Sequence, residues 1–321
     1  MMSKETYHKL CLTEESIPVF SQDWWLDAVC GAANWNVLLI EENNRTLAAW
    51  PRYMPRPHLV TMPSYTQTMG IWFAPPAADA KYTSVLERRQ ALCKQFISRS
   101  STRSFLQNFP YTFTDWLPFY WNGYRQTTRY TYLLQDLKDA DRLRNNMSQN
   151  LRRNIRKAQE QYHVSVRQGV SVEDFLQVQK LTFDRQGKKN TQSADALRRL
   201  IDVCRERGQG ELWGGYDDDG HLHAVAFVAW QKSSAYYVAG GGDPEFRHSG
   251  AHSLVLREAI RFVSDRSDVF NFDGSMVPGI ERFFREFGAI QTPYFTLSKG
   301  KPSLIDRALI RFKRFNDAKH P

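Results

Sequence analysis

Two stretches decide the fold: Phe119-Tyr-Trp-Asn-Gly123-Tyr-Arg-Gln126-Thr127 and Phe284-Arg-Glu-Phe-Gly288-Ala-Ile-Gln291-Thr292. Both read F-x-x-x-G-x-x-Q-T, and each runs into an aromatic-rich strand, Tyr130 to Leu134 in one copy and Tyr294 to Leu297 in the other. Gly123 and Gly288 stand 165 positions apart, an ordinary domain length. A repeat at that spacing predicts two domains built on one plan.

The sequence before each motif repeats the plan. In the second half, Ala235 to Ala239 reads as a strand and Gly240 to Asp243 as a turn. Gly250 to Ser264 reads as a helix on the periodicity of Leu254, Leu256, Ala259, Ile260 and Val263, and Asp268 to Asp273 as the next strand. Strand, helix and strand make a βαβ unit with a parallel pair. The first half gives the same order with Thr66 to Phe73, Lys81 to Ser98 and Ser104 to Phe109. A hairpin precedes each unit: Trp35 to Glu41 with Thr46 to Tyr53, and Glu211 to Tyr216 with His223 to Trp230 across Asp219-Gly220. The expected fold is α+β, two tandem domains over 1–137 and 138–321, each a mixed twisted sheet flanked by helices.

Between the halves, Asp141 to Gln161 reads as one long helix. Leu143, Met147, Leu151 and Ile155 form its apolar stripe, and Arg144, Arg152, Arg153, Arg156 and Lys157 crowd the other faces. That basic face is either a solvated surface or a phosphate-binding one, for RNA or a lipid head group. A second basic amphipathic helix, Ser303 to Phe315, closes the chain; its stripe of Leu304, Ala308, Leu309 and Phe312 suits the fold or a membrane surface.

Composition narrows the class. The chain has 321 residues, 42% hydrophobic and 24% charged, as in a globular protein with room for two cores. Its net charge of +9 attracts phosphate-bearing partners without naming one. Cys11, Cys30, Cys93 and Cys204 are too dispersed for a zinc site or a disulfide framework, which fits a reducing cytoplasm. The first ten residues carry charges and no apolar run, so no signal peptide is expected, and the apolar run Ala224 to Trp230 is too short to span a bilayer.

Three segments together resemble the FemAB-like acyltransferases of the GNAT superfamily. They are Phe270-Asn-Phe-Asp273-Gly274-Ser275 with Phe283-Phe284-Arg-Glu-Phe-Gly288-Ala289, Leu151-Arg-Arg-Asn-Ile-Arg156-Lys-Ala158 with Val164-Ser-Val166, and Pro63-Ser-Tyr-Thr66-Gln67-Thr-Met-Gly70. The resemblance implies two GNAT-like domains and a sheet that splays between two parallel strands, here Ala235 to Gly240 and Asp268 to Asp273. It implies transfer of an acyl group from acyl-CoA, acetyl-CoA among them, to a small-molecule or peptide amine. The alternative within the family is an aminoacyl group carried by tRNA. A non-catalytic protein binding nucleic acid or anionic lipid is the reading from another class.

The resemblance also places residues. GNAT enzymes that use acyl-CoA hold its pyrophosphate on a loop of form Q/R-x-x-G-x-G/A, and the matching stretch is Arg247-His-Ser-Gly250-Ala251-His252. His252 departs from the small last residue. Backbone N–H groups at a helix start favour an anion there, although Ser249-Gly250 also simply begins a helix. Many such enzymes place a tyrosine four residues before the glycine of the last helix; here the position is Phe284, and Phe119 in the first half. Asp273 is the candidate to orient or deprotonate an amine, with capping of the turn at Gly274-Ser275 as its plain alternative. Tyr237 is the candidate on the facing strand. Ser275, Arg282 and Arg285 are candidate donor contacts, and Arg185, Lys188 and Lys189 candidate acceptor contacts. No metal is expected: His248 with His252, and His221 with His223, lack visible partners, and Gly240-Gly241-Gly242 lacks the lysine of a phosphate loop.

Overall fold

The computed structural model describes residues 2–185, 187, 192–301 and 303. Lys188, Lys189 and all but the first residue of the expected closing helix lie outside them. The chain runs α1 (Met2–Thr13), α2 (Asp23–Cys30), β1 (Trp35–Glu42), β2 (Arg45–Arg56), β3 (Leu59–Thr61), β4 (Trp72–Phe73), α3 (Tyr82–Arg99), β5 (Ser104–Phe109), α4 (Leu117–Trp121) and β6 (Arg125–Gln135). It continues with α5 (Ala140–Asn146), α6 (Gln149–Glu160), β7 (Ser165–Gln168), α7 (Val172–Arg185), α8 (Ala194–Glu206), β8 (Gly210–Tyr216), β9 (Leu222–Gln231) and β10 (Ser234–Gly242). Last come α9 (Ala251–Val263), β11 (Val269–Asn271), α10 (Pro278–Glu286) and β12 (Ile290–Lys299).

These elements form two compact units. One holds the residues up to Arg129 and the strand residues from Pro293 onward; the other holds Tyr130 to Thr292. In the first, the strand order is β1-β2-β3-β5-β12, with β4 also on β2. Strands β3 and β5 are parallel, the crossover being α3. Trp50 of β2 anchors this core, edge to face with Phe96, Phe105 and Phe119 at 5.6 to 5.8 Å between ring centroids. Its indole Nε1 donates to Gln107 Oε1 at 2.7 Å, so a large ring is buried with its polar atom satisfied.

In the second unit the order is β6-β11-β10-β9-β8-β7. Strand β9 is buried on both faces. Ala224, Ala226, Val228 and Trp230 join the core made by α6 and α9. The alternate residues face the other way, where Gly210 lies against Cys204 of α8 and Phe227 of β9.

The last strands of the two repeats are exchanged. Strand β6, which follows the first motif, pairs antiparallel with β11, and β12, which follows the second, pairs with β5. The registers repeat at the same 165-residue offset: Leu134 opposes Phe270, as Lys299 opposes Phe105. The halves 1–137 and 138–321 thus describe the repeat in the sequence, while each compact unit takes its closing strand from the other half.

Several expected elements are corrected. The long basic helix is two, because Ser148 breaks it: its Oγ accepts from Leu151 N at 3.0 Å as an N-cap, and its own N–H donates to Glu286 O. The strand expected from Thr66 to Phe73 shrinks to Trp72–Phe73, and β3 takes its place beside β5. Tyr65 sits at a positive φ of 53°, which no strand accepts. Gly240 to Gly242 do not leave the strand; they are its end, bare because Gly240 lies against the Tyr237 side chain and Gly241 against Thr182 of α7. No helix among the described residues is long and apolar enough to cross a membrane.

Candidate functional site

The site begins where β10 and β11 part. The two parallel strands pair only at Ala235 with Phe270 and Tyr236 with Asn271. On its other edge β10 slips register between Tyr237 and Ala239, leaving Val238 without a partner on β9. Such a bulge bends a strand and sharpens its twist. β11 meanwhile stops at Asn271, so the ladder ends and the strand ends open.

Five side chains converge on this opening: Tyr237 from β10, His252 from the first turn of α9, Asp273 just past β11, and Phe283 and Phe284 from α10. The Tyr237 hydroxyl lies 3.1 Å from His252 Nε2. The His252 ring stacks on Phe283 with centroids 5.1 Å apart, and the Tyr237 ring meets Phe284 edge-on at 5.9 Å.

Asp273 is held in an unusual conformation. Its φ is +62°, and its N–H donates to Asn271 Oδ1 at 2.9 Å. Asn271 Oδ1 also accepts from Thr131 Oγ1 at 2.5 Å. The residue is partly exposed, yet its Oδ1 is out of solvent and has no hydrogen-bond partner among the described residues. Burial therefore pushes this carboxyl well above the usual carboxylate range. Burial also raises the Tyr237 hydroxyl, and the nearby Asp273 charge raises it further. Burial lowers His252 to about 4, so its ring is neutral near neutrality. An orphaned carboxyl beside a phenol and a neutral imidazole can accept a proton, hold one and pass one on.

The Arg247 loop is a single 3-10 turn, Arg247–Ser249, leading into α9 at Ala251. Arg247 is exposed. Gly250 has φ +79°, and a Cβ there would stand 2.2 Å from the backbone oxygen of Asn154 in α6. The glycine is thus needed for packing, whatever binds nearby. Ser249 Oγ accepts from Ala251 N at 3.2 Å. Ser275 Oγ accepts from Val277 N at 3.1 Å and opens the turn into α10. Arg282 and Arg285 are exposed and paired along their own helix, with Glu286 at 3.3 Å and Glu281 at 2.9 Å. Arg185 is the last residue of α7 and exposed. The structure therefore brings together Tyr237, His252 and Asp273, and leaves Arg282, Arg285 and Arg185 on helical surfaces.

The counterpart in the first unit is filled. Asn108 stands at the repeat position of Asp273; its O accepts from Met69 N at 2.7 Å and its Nδ2 donates to Gln67 O at 2.9 Å. The segment Gln67 to Met69 thus occupies the edge that stays open in the second unit.

Sequence reading missed Asn271 and Thr131, which fix the Asp273 backbone. An asparagine inside the apolar run Phe270-Asn-Phe272 was the available signal. It also missed the partner of two histidines, one just before β9 and one within it: His221 Nδ1 and His223 Nε2 both face Asp217 Oδ2, at 2.9 and 3.2 Å. Donor atoms of Asp217, Asp219 and His221 lie within 4.8 Å of one another, a spacing that could hold an ion.

Residues 145–285 match the family described as acetyltransferase (GNAT) domain. This stretch of the chain is a GNAT-type domain. That match runs from α5 to α10 and contains Tyr237, His252 and Asp273. Among solved structures, the crystal structure of FemX is similar over 98% of each chain, with a TM-score of 0.67 and 11% identity. L-PGS from Bacillus licheniformis is similar over 98% of this chain and 97% of its own, with a TM-score of 0.58 and 11% identity. At such identities the fold is what is shared. No curated protein matches by sequence.

Proposed function

We propose that the protein is an N-acyltransferase that moves an acyl group directly to an amine at the open end of β10 and β11. The single observation that carries this is the buried Oδ1 of Asp273 at that opening, which has no hydrogen-bond partner among the described residues. In the reaction the amine nitrogen bonds the acyl carbon while the carbon–heteroatom bond of the donor breaks. Asp273 takes the proton that the nitrogen must lose, a role its raised pKa suits because a more basic carboxylate is a better acceptor. The filled counterpart at Asn108 supports placing the chemistry in the second unit.

Acyl-CoA is the first donor to consider. Arg247, Gly250, Ala251 and His252 at the start of α9 would then face its phosphates, where N–H groups and the helix dipole favour negative charge. Ser275, Arg282 and Arg285 would be further contacts, and Arg185, Lys188 and Lys189 would meet an anionic acceptor. Aminoacyl-tRNA is the second donor, favoured by the whole-length likeness to FemX and by His252, whose side chain stands where that loop pattern has a small residue.

Thermal unfolding with acetyl-CoA, longer acyl-CoAs and charged tRNA separates the donors. A ligand at about a hundred times its Kd stabilises by roughly 2.7 kcal/mol, a shift of a few degrees. A shift with acyl-CoA that Arg247→Ala removes assigns the loop to CoA; a shift with charged tRNA alone assigns the donor to tRNA. No shift with any of them contradicts both readings.

A further inference from the structure

Acyl transfer leaves a departing heteroatom, the sulfur of a thioester or the oxygen of an ester, and that atom leaves most readily with a proton. Helix α10 walls the opening with carbon there, Phe283 and Phe284. The hydroxyl in the opening comes from the strand opposite. We propose that Tyr237 is the general acid that protonates the leaving group and that His252 is its positioning residue. This rests on the acyl-transfer reading above.

The geometry around Tyr237 is that of a fixed hydroxyl. Its oxygen lies 3.1 Å from His252 Nε2, its ring is set edge-on against Phe284, and the His252 ring is stacked on Phe283. Neither ring can swing without losing an aromatic contact. The strand leaves space for the phenol: a Cβ at Gly240 would stand 2.3 Å from the Tyr237 hydroxyl and 2.6 Å from Val225 O. No other residue type fits there while Tyr237 keeps this rotamer. Two oddities of the sequence, a histidine ending the Arg247 loop and a phenylalanine at position 284, become one arrangement.

His252 acts by tautomer. A neutral ring carries one N–H; on Nε2 it donates to the Tyr237 oxygen and leaves the phenol proton free to point into the opening. The proton cycle then closes. The amine nitrogen bonds the acyl carbon, the carbon–heteroatom bond breaks, and its electron pair goes to the heteroatom. Tyr237 gives that atom a proton; Asp273 takes one from the nitrogen and returns it to the Tyr237 oxygen, directly or through water. The products are the amide and the protonated leaving group, with both side chains restored.

The test compares wild type with Tyr237→Phe on one amine and two donors of the same acyl group. One donor is the natural type, acyl-CoA or aminoacyl-tRNA, whichever turns over. The other is the p-nitrophenyl ester, whose leaving group departs without a proton. Expected for Tyr237→Phe is a loss of about a hundredfold or more in kcat on the natural donor with KM little changed, the usual scale of general acid catalysis. The p-nitrophenyl ester should be used within a few-fold of the wild-type rate. His252→Ala should lose part of the same rate, and His252→Gln, which keeps an N–H donor, should recover some of it. An equal loss on both donors, or no loss, overturns the proposal while leaving acyl transfer standing. A folded wild type that forms no amide from any donor overturns the acyl-transfer reading and this one with it.

Discussion

The backbone N–H of Asp273 donates to Asn271 Oδ1 at 2.9 Å, so the strand's own asparagine makes the turn and the aspartate carboxyl is left without that task. Among the described residues, Oδ1 of Asp273 accepts no hydrogen bond. A buried carboxyl of this kind destabilises the fold when ionised.

That has a measurable sign. The folded pKa of Asp273 is raised, so between the unfolded value near 4 and the folded value the native state binds more protons, and stability falls as pH rises. Asp273→Asn removes this loss. The variant should melt at a higher temperature than wild type at pH 7, and the gap should close below about pH 4, where the carboxyl is protonated in both states. Activity should drop even as stability rises. An unchanged or lower melting temperature at pH 7 would contradict the burial of this charge.

His252 carries the opposite sign. Its folded pKa of about 4 lies below the ordinary imidazole value of 6.5, so the unfolded chain gains a proton first as pH falls. Its contribution to stability is full above about 6.5 and is lost on the way down to 4. His252→Gln should therefore flatten the acid limb of the stability profile between those values. Melting curves taken every half unit on both proteins give the comparison, and parallel limbs would exclude the effect.

Gly250 offers a separation of packing from binding. An alanine Cβ would meet the Asn154 oxygen at 2.2 Å, a backbone atom that cannot step aside, and would sit at φ +79°. Gly250→Ala should destabilise by about 2 kcal/mol or more, several degrees in melting temperature, with no ligand present. Arg247→Ala, at an exposed position, should leave the apo melting temperature within about a degree. Equal effects from the two variants would mean that the loop is not built as described.

The exchanged strands make a prediction about fragments. Residues 1–137 contain β5 without β12, so the edge that Phe295 to Lys299 cover on Phe105 to Phe109 would be bare. The fragment should aggregate or melt without a cooperative transition in size-exclusion and calorimetric measurements. A soluble monomer with a sharp transition would show that the exchanged strand is dispensable.

The sequence reading went furthest where local chemistry is strong. The repeat of Phe119 to Thr127 in Phe284 to Thr292 announced two related units, and the Asp219-Gly220 turn located the β8–β9 hairpin. The strand exchange was not legible, because β6 and β12 have the same pattern whichever β5-type strand they join. The break at Ser148 depends on Glu286 O, 138 residues away in the chain, and no periodicity in Leu143 to Ile155 reports it. Asp273 and Tyr237 were named from their places on facing strands, while the contact of Tyr237 with His252 depends on a bulge at Val238 that leaves no mark in an apolar strand.

The most direct test of the account is mass-spectrometric detection of amide product from purified wild type and Asp273→Asn, each offered acetyl-CoA and charged tRNA with a panel of amines. The account predicts an amide from wild type with one donor type, and a loss of about a hundredfold or more in the folded Asp273→Asn protein. Full activity in Asp273→Asn, or no amide from wild type with any donor, would contradict it.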